Sequence, residues 1–301
     1  MDSIISPLLQ QPAVLVGAMT VLGLLVGSFL NVVVHRLPLM MEREWKHECR
    51  SLLELPETPP EPPVDLVRPR SRCPACGTQI VARDNVPVLS WLLLRGRCRH
   101  CGVAISARYP LVEVFTGIVT GYAAWHFGTP AGDLTGTAVL LRVLAAALLC
   151  WYLITLALID YDTKLLPDSL TQPLLWAGIV VAFFGLFATS LEAAVLGAVF
   201  GYLSLWSVYW LFKLVTGKEG MGFGDFKLLA ALGAWLGWQA LPVLILLSSA
   251  VGAVLGIGLI ATGLVKRSEP IPFGPYLALA GIITLFWGDA VGSLFAPGRG
   301  L

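Results

Sequence analysis

The sequence predicts an all-α polytopic membrane protein of about eight transmembrane helices, with a small cytoplasmic zinc-ribbon-like domain between the first and second spans. Three observations predict it. Hydrophobic residues make up 56% of the 301 positions and charged residues 13%, with a mean hydropathy of +0.78, whereas a soluble domain carries roughly 25% charge. Apolar runs long enough to cross hydrocarbon, roughly 17 to 25 residues, recur along the chain. Finally, 12 of the 20 Lys and Arg lie between Arg36 and Arg108 together with two Cys-x-x-Cys pairs, so one polar insert interrupts the membrane part. The net charge of +1 is uninformative, because the charges are segregated.

The first apolar run, Val14 to Val34, has no basic segment before it and no small-residue cleavage site after it, so a retained span is expected rather than a signal peptide. Met40 to Leu53 is charged and reads as a short amphipathic surface helix or, more plainly, a solvated one, to which His47 and Cys49 belong. The Pro-rich stretch Leu55 to Pro63 reads as an extended, hydrated connector.

Cys73-Pro-Ala-Cys76 and Cys98-Arg-His-Cys101 follow, each with a glycine (Gly77, Gly102) suited to a tight turn. Two such knuckles supply the four soft ligands of a tetrahedral structural zinc. Disulfides and free thiols are the alternatives. A cytoplasmic location argues against disulfides, and a small polar loop without a large core gains from a metal staple. His100 stands close enough in sequence to compete as a ligand. Arg95, Arg97 and Arg99 invite a nucleic-acid reading, but no aromatic platform or recognition helix accompanies them, and they fit the positive-inside expectation equally well; no nucleic acid is expected.

The remaining spans are expected near Tyr109 to Phe127, Thr137 to Ile159, Leu170 to Phe187, Leu191 to Leu214, Phe226 to Gln239, Leu241 to Val265 and Pro272 to Trp287. Cys150 falls inside one of them. Glu113 reads as an exposed functional acid or as a polar link between helices, and Arg142 as a snorkelling residue near the outer face. With the Arg36 to Arg108 insert cytoplasmic, Lys164, Lys213, Lys218, Lys227, Lys266 and Arg267 fall at cytoplasmic ends and only Arg142 and Arg299 outside. The expected divisions are residues 1–35 (first span), 36–108 (cytoplasmic four-cysteine zinc-binding domain), 109–290 (membrane domain of about seven helices) and 291–301 (tail).

Asp160 closes the run Cys150-Trp-Tyr-Leu-Ile-Thr-Leu-Ala-Leu-Ile-Asp160, and Asp225 sits in Gly222-Phe-Gly-Asp225, both at the cytoplasmic face. A single acid at a membrane boundary, Asp160 included, reads more plainly as a solvated loop residue, but a pair on the same side suggests shared chemistry. Two carboxylates hydrolyse a peptide when one takes a proton from water and the other donates one to the carbonyl oxygen. The parts of serine, cysteine and zinc peptidases are missing: there is no Gly-x-Ser-x-Gly and no His-Glu-x-x-His, and the four histidines are scattered. Gly222 and Gly224 are expected to permit positive φ and close backbone approach by a substrate strand. Asp162 and Asp168 read as solvated loop acids, with Asp168 capping the next helix.

Taken in order, Gly27-Ser-Phe-Leu-Asn-Val-Val-Val-His-Arg-Leu-Pro38, Cys73 to Cys76, Asp84-Asn-Val-Pro-Val-Leu-Ser-Trp91, Arg95-Gly-Arg-Cys98 with Cys101, Ile105 to Glu113, Asp160 to Asp168 and Gly222-Phe-Gly-Asp-Phe-Lys-Leu228 resemble the type IV prepilin leader peptidases, aspartyl membrane peptidases of the GxGD type. That resemblance covers nearly the whole chain. It implies a bifunctional enzyme of the bacterial inner membrane that removes the basic leader from prepilins and pseudopilins of type IV pilus and type II secretion machinery. Cleavage would follow a glycine on the cytoplasmic side, and the new N-terminal residue would then be N-methylated from S-adenosylmethionine. Asp160 and Asp225 stand where the family carries its catalytic pair. The methyltransferase step rests on resemblance alone, and no methyl-donor residues are assigned. A cation- or proton-coupled transporter and a zinc-stapled scaffold of a secretion apparatus are the rival readings; oligomeric state is left open.

Overall fold

The computed structural model describes residues 11–56, 64–129, 136–263 and 271–295. Most of the connector Leu55 to Pro63, together with Lys266, Arg267 and Arg299, lies outside them. The described chain is helical: α1 (Pro12–Leu52), α2 (Leu89–Leu93), α3 (Arg108–Phe127), α4 (Gly136–Thr163), α5 (Asp168–Phe183), α6 (Leu191–Thr216), α7 (Phe223–Leu236), α8 (Leu241–Ala261) and α9 (Gly274–Phe295). Each of the eight expected spans is a helix. Five are long and apolar enough to cross a bilayer: α1, α4, α6, the stretch Trp238–Gly258 and α9. Of the other three, α5 and α7 have only 16 and 14 residues. Outward-facing Val195, Val199, Phe200, Leu203 and Leu211 on α6 are exposed, as a face meeting lipid rather than water would be. This is a membrane protein.

The described residues divide into two compact units, one of Ala13–Tyr122 and one beginning at Ala123. In the first, α1 runs unbroken through Pro38 for 41 residues, so the expected first span and the expected surface helix are one element. A proline removes a single ladder bond, and the good helix formers after it, with a Glu42–Lys46 pair four residues apart, carry the helix on. The cysteine-bearing segment leaves α1 and returns to α3. These two helices meet through glycines: a Cβ at Gly23 would strike Thr120, one at Gly27 would lie 2.8 Å from the Glu113 Cα, and one at Gly117 2.9 Å from Leu24. Small residues spaced by four allow such close backbone approach between membrane helices.

In the second unit, Ser190 caps α6 through its hydroxyl and Gly217 ends it. Gly197 and Gly233 bring the α6 and α7 backbones into direct contact, and a Cβ at Gly201 would lie 2.7 Å from the Leu229 carbonyl oxygen. Helix α7 is therefore held in the interior, with Phe226, Leu228, Leu229, Ala231 and Leu232 fully buried. Trp235 anchors it to α5 by donating to the Leu174 carbonyl at 2.8 Å.

Arg142, expected to snorkel, has partners of its own. Its guanidinium donates to the Phe127 and Thr129 carbonyls, both at 2.8 Å, and so satisfies groups at the end of α3 that have no partner within the helix.

Candidate active site

Asp160 lies in the last turn of α4 and Asp225 in the first turn of α7; they are 6% and 7% exposed. Both lie at helix ends, as acids closing or opening apolar runs would, but their side chains are buried. The structure brings them together, close enough for the Asp160 charge to act on Asp225. Two buried acids in an apolar bundle are costly, and like charges that feel one another cannot both ionise cheaply.

Asp160 is held from across the bundle. The Gly274 amide, opening α9, donates to its Oδ2 at 2.9 Å, an interaction that sequence reasoning missed because a backbone donor has no letter of its own. Lys164, just beyond α4 with φ +59°, supplies nearby positive charge and donates its amide to the Asp160 carbonyl. Gly224 is needed for space rather than for positive φ: a Cβ there would lie 2.7 Å from Leu166. Gly222 is extended at φ −82° and caps α7, leaving open room beside Asp225.

Asp168 does not cap α5, which starts on Pro167 without a side-chain cap. Instead both carboxylate oxygens accept from Lys227, each at 2.7 Å. This bridge ties the start of α5 to α7 two residues beyond Asp225. Asp162 is exposed.

In the first unit, the four cysteine sulfurs of Cys73, Cys76, Cys98 and Cys101 all lie within 4.8 Å of one another. A tetrahedral zinc with Zn–S near 2.3 Å has S···S edges of about 3.8 Å, and Cys73 and Cys101 are already 3.7 Å apart. The knuckles are alike: Gly77 donates to the Cys73 carbonyl and Cys73 to that of Thr78, while Gly102 donates to Cys98 and Cys98 to Val103. Gly77 and Gly102 have φ +69° and +72°, a conformation only glycine adopts without strain. Thr78, through its hydroxyl and amide, draws the Cys76 thiol down to about 6, and the amides of Cys101 and His100 lower that of Cys98. Thiolate is the form that a metal binds. His100 is not among the clustered ligands.

The segment between the knuckles is fastened by the motif residues. Asp84 takes a two-pronged pair from Arg99 at 2.8 and 2.6 Å, which holds its carboxyl below the usual range. Trp91 donates to the Ile105 carbonyl and packs on Gly96. Glu113 is buried rather than exposed, and accepts the Val88 amide at 2.8 Å. It thus supports the entry to α2, where Val88 is strained at φ +61°.

Two family descriptions match this chain: the bacterial peptidase A24 N-terminal domain over residues 21–127 and the type IV leader peptidase family over residues 147–257. A prepilin leader peptidase/N-methyltransferase of Stutzerimonas stutzeri is 57% identical over 286 residues, 94% of each chain. The chain belongs to the type IV leader peptidase family. A second member, from Pseudomonas aeruginosa and bearing the same description, is 56% identical over 94% of each chain. A third, from Aeromonas hydrophila, is 57% identical over 89% of each. No solved structure matches. The family's N-terminal match covers most of the Ala13–Tyr122 unit, and the type IV leader peptidase match contains Asp160 and Asp225.

Proposed function

We propose that this protein is a prepilin leader peptidase and N-methyltransferase, with Asp160 and Asp225 as its catalytic pair. The observation that carries the reading is the meeting of two buried aspartates, 65 residues apart in sequence, in a chain of this family. One carboxylate activates water and the other, protonated, polarises the scissile carbonyl. Family membership favours this over the transporter and scaffold readings. The substrates are prepilin and pseudopilin precursors, cut after a glycine at the cytoplasmic face of the bacterial inner membrane, with the four-cysteine segment on that same side.

The sulfur geometry supports a structural zinc on Cys73, Cys76, Cys98 and Cys101: four thiolates saturate a tetrahedral ion and leave no open position for catalysis. S-adenosylmethionine supplies the methyl group for the new N-terminus. The division into residues 1–35, 36–108, 109–290 and 291–301 serves as a functional map, with cleavage in the third part.

Co-expression with a prepilin, read by mass spectrometry, tests both activities. The expected product has lost its leader and gained one methyl. An uncut precursor beside well-expressed, membrane-inserted enzyme would refute the reading.

A further inference from the structure

The opening turn of α9 has an unusual supply of donors. It begins Gly274-Pro275-Tyr276-Leu277; Pro275 has no amide hydrogen, and the Tyr276 and Leu277 amides both go to the Phe273 carbonyl at 3.1 Å. That leaves the Gly274 amide as the donor of this turn that reaches Asp160, at 2.9 Å and buried. Helix N-termini favour negative charge, and an amide bond to a carboxylate is strongest when that carboxylate is ionised. The Gly222 backbone, at the cap of α7, likewise faces Asp225. Position 274 also admits no side chain: a Cβ would lie 2.7 Å from Asp160 Oδ2 and 3.1 Å from its Cγ.

We propose that Gly274 is a positioning residue for peptide cleavage, its amide fixing Asp160 as the carboxylate that takes the proton from the attacking water and leaving Asp225 to protonate the substrate carbonyl. This rests on the Asp160–Asp225 reading above and adds a division of labour to it. As the water oxygen bonds to the carbonyl carbon, one water proton passes to Asp160 and the Asp225 proton passes to the carbonyl oxygen, giving a neutral diol. On collapse, the C–N bond breaks, Asp160 returns its proton to the leaving amine, and a diol hydroxyl returns one to Asp225. Both acids end as they began. The ionisable groups around Asp160 are Asp225 from α7 and Lys164 beyond the end of α4.

The test uses full-length enzyme in lipid nanodiscs and a synthetic prepilin peptide, with kcat/KM measured against pH. Gly274→Ala forces the carboxylate off the amide. Its kcat is expected to fall about 100-fold with KM little changed. The acid limb of the profile should move up by about one pH unit, because a base deprived of its donor ionises at higher pH. Gly281→Ala is the packing control: on the same helix, its added methyl meets Leu232 and Leu153, not Asp160. It should lower thermal stability but keep the wild-type acid limb. Complete inactivity of Gly274→Ala beside an active Gly281→Ala supports the proposal as well. A wild-type acid limb in Gly274→Ala, or equal inactivation by both variants, overturns it. Asp160→Asn and Asp225→Asn run alongside: activity in either one removes the catalytic pair itself, whereas inactivity of both with an unmoved limb in Gly274→Ala removes only the positioning role.

Discussion

Asp160 and Asp162 are two residues apart on α4, yet one is 6% exposed and the other faces outward. A helix turns about 100° per residue, so positions i and i+2 point to nearly opposite sides. That rotation, rather than any difference in chemistry, selects the interior acid. Asp160→Asn and Asp225→Asn are each expected to abolish leader cleavage, by more than about a thousandfold, while the protein still inserts, since an amide neither activates water nor donates a carboxylic proton. Asp162→Asn should stay within a few-fold of wild type in the same peptide assay. The converse pattern, with Asp162 indispensable, would refute the pairing. Both members of the pair were legible in the sequence as acids ending or beginning apolar runs. The partners of Glu113, Asp168 and Arg142 were not, because a hydrogen bond to a backbone group or to a residue 59 positions away leaves no local pattern.

At the scale of elements, α7 is the short helix that carries Asp225, and glycine contacts decide its position. Gly197→Leu would place a branched side chain where α6 meets the Gly233 backbone; such overpacking costs about 1–3 kcal/mol or more. A lower melting temperature in detergent is expected, together with loss of cleavage as Asp225 is displaced. The Asp168–Lys227 bridge behaves differently, being 61% and 27% exposed at its two side chains. Its contribution to stability is below about 1 kcal/mol, so Asp168→Asn or Lys227→Met should barely move the melting temperature. Each should nonetheless slow cleavage several-fold by loosening the α5 start from α7, and the exchanged pair Asp168→Lys with Lys227→Asp should recover most of the rate. No recovery would show that the bridge does not position the site. Hydropathy, summed over some twenty residues, made the eight helices readable in advance. It was blind to the passage of α1 through Pro38, where a stop signal of one residue yields to the helix formers that follow.

For the whole molecule, the division at Tyr122/Ala123 separates the sulfur cluster from the aspartates. Metal analysis is expected to find about one zinc per chain, falling when any two of Cys73, Cys76, Cys98 and Cys101 become serine; protein purified without chelator and free of metal would refute the site. If the two chemistries are likewise separate, Asp160→Asn enzyme should still methylate a synthetic, already cleaved pilin N-terminus with labelled S-adenosylmethionine, and lose that ability when the Cys73 to Cys101 segment is disturbed. Loss of both activities on changing Asp160 alone would favour one shared centre. The cysteine spacing announced the four-sulfur cluster because both knuckles are local. The methyl-donor pocket has no such local mark, which is why no residue is assigned to it.

The bond from Gly274 to Asp160 spans 114 positions, and a ribosome makes them in order. When α4 first enters the bilayer, Asp160 has neither its amide nor its partner acid. Asp225 arrives with α7, and the donor only with α9. If the pair cuts as proposed and needs that donor, the peptidase is assembled inert and gains its cutting power late in its own synthesis.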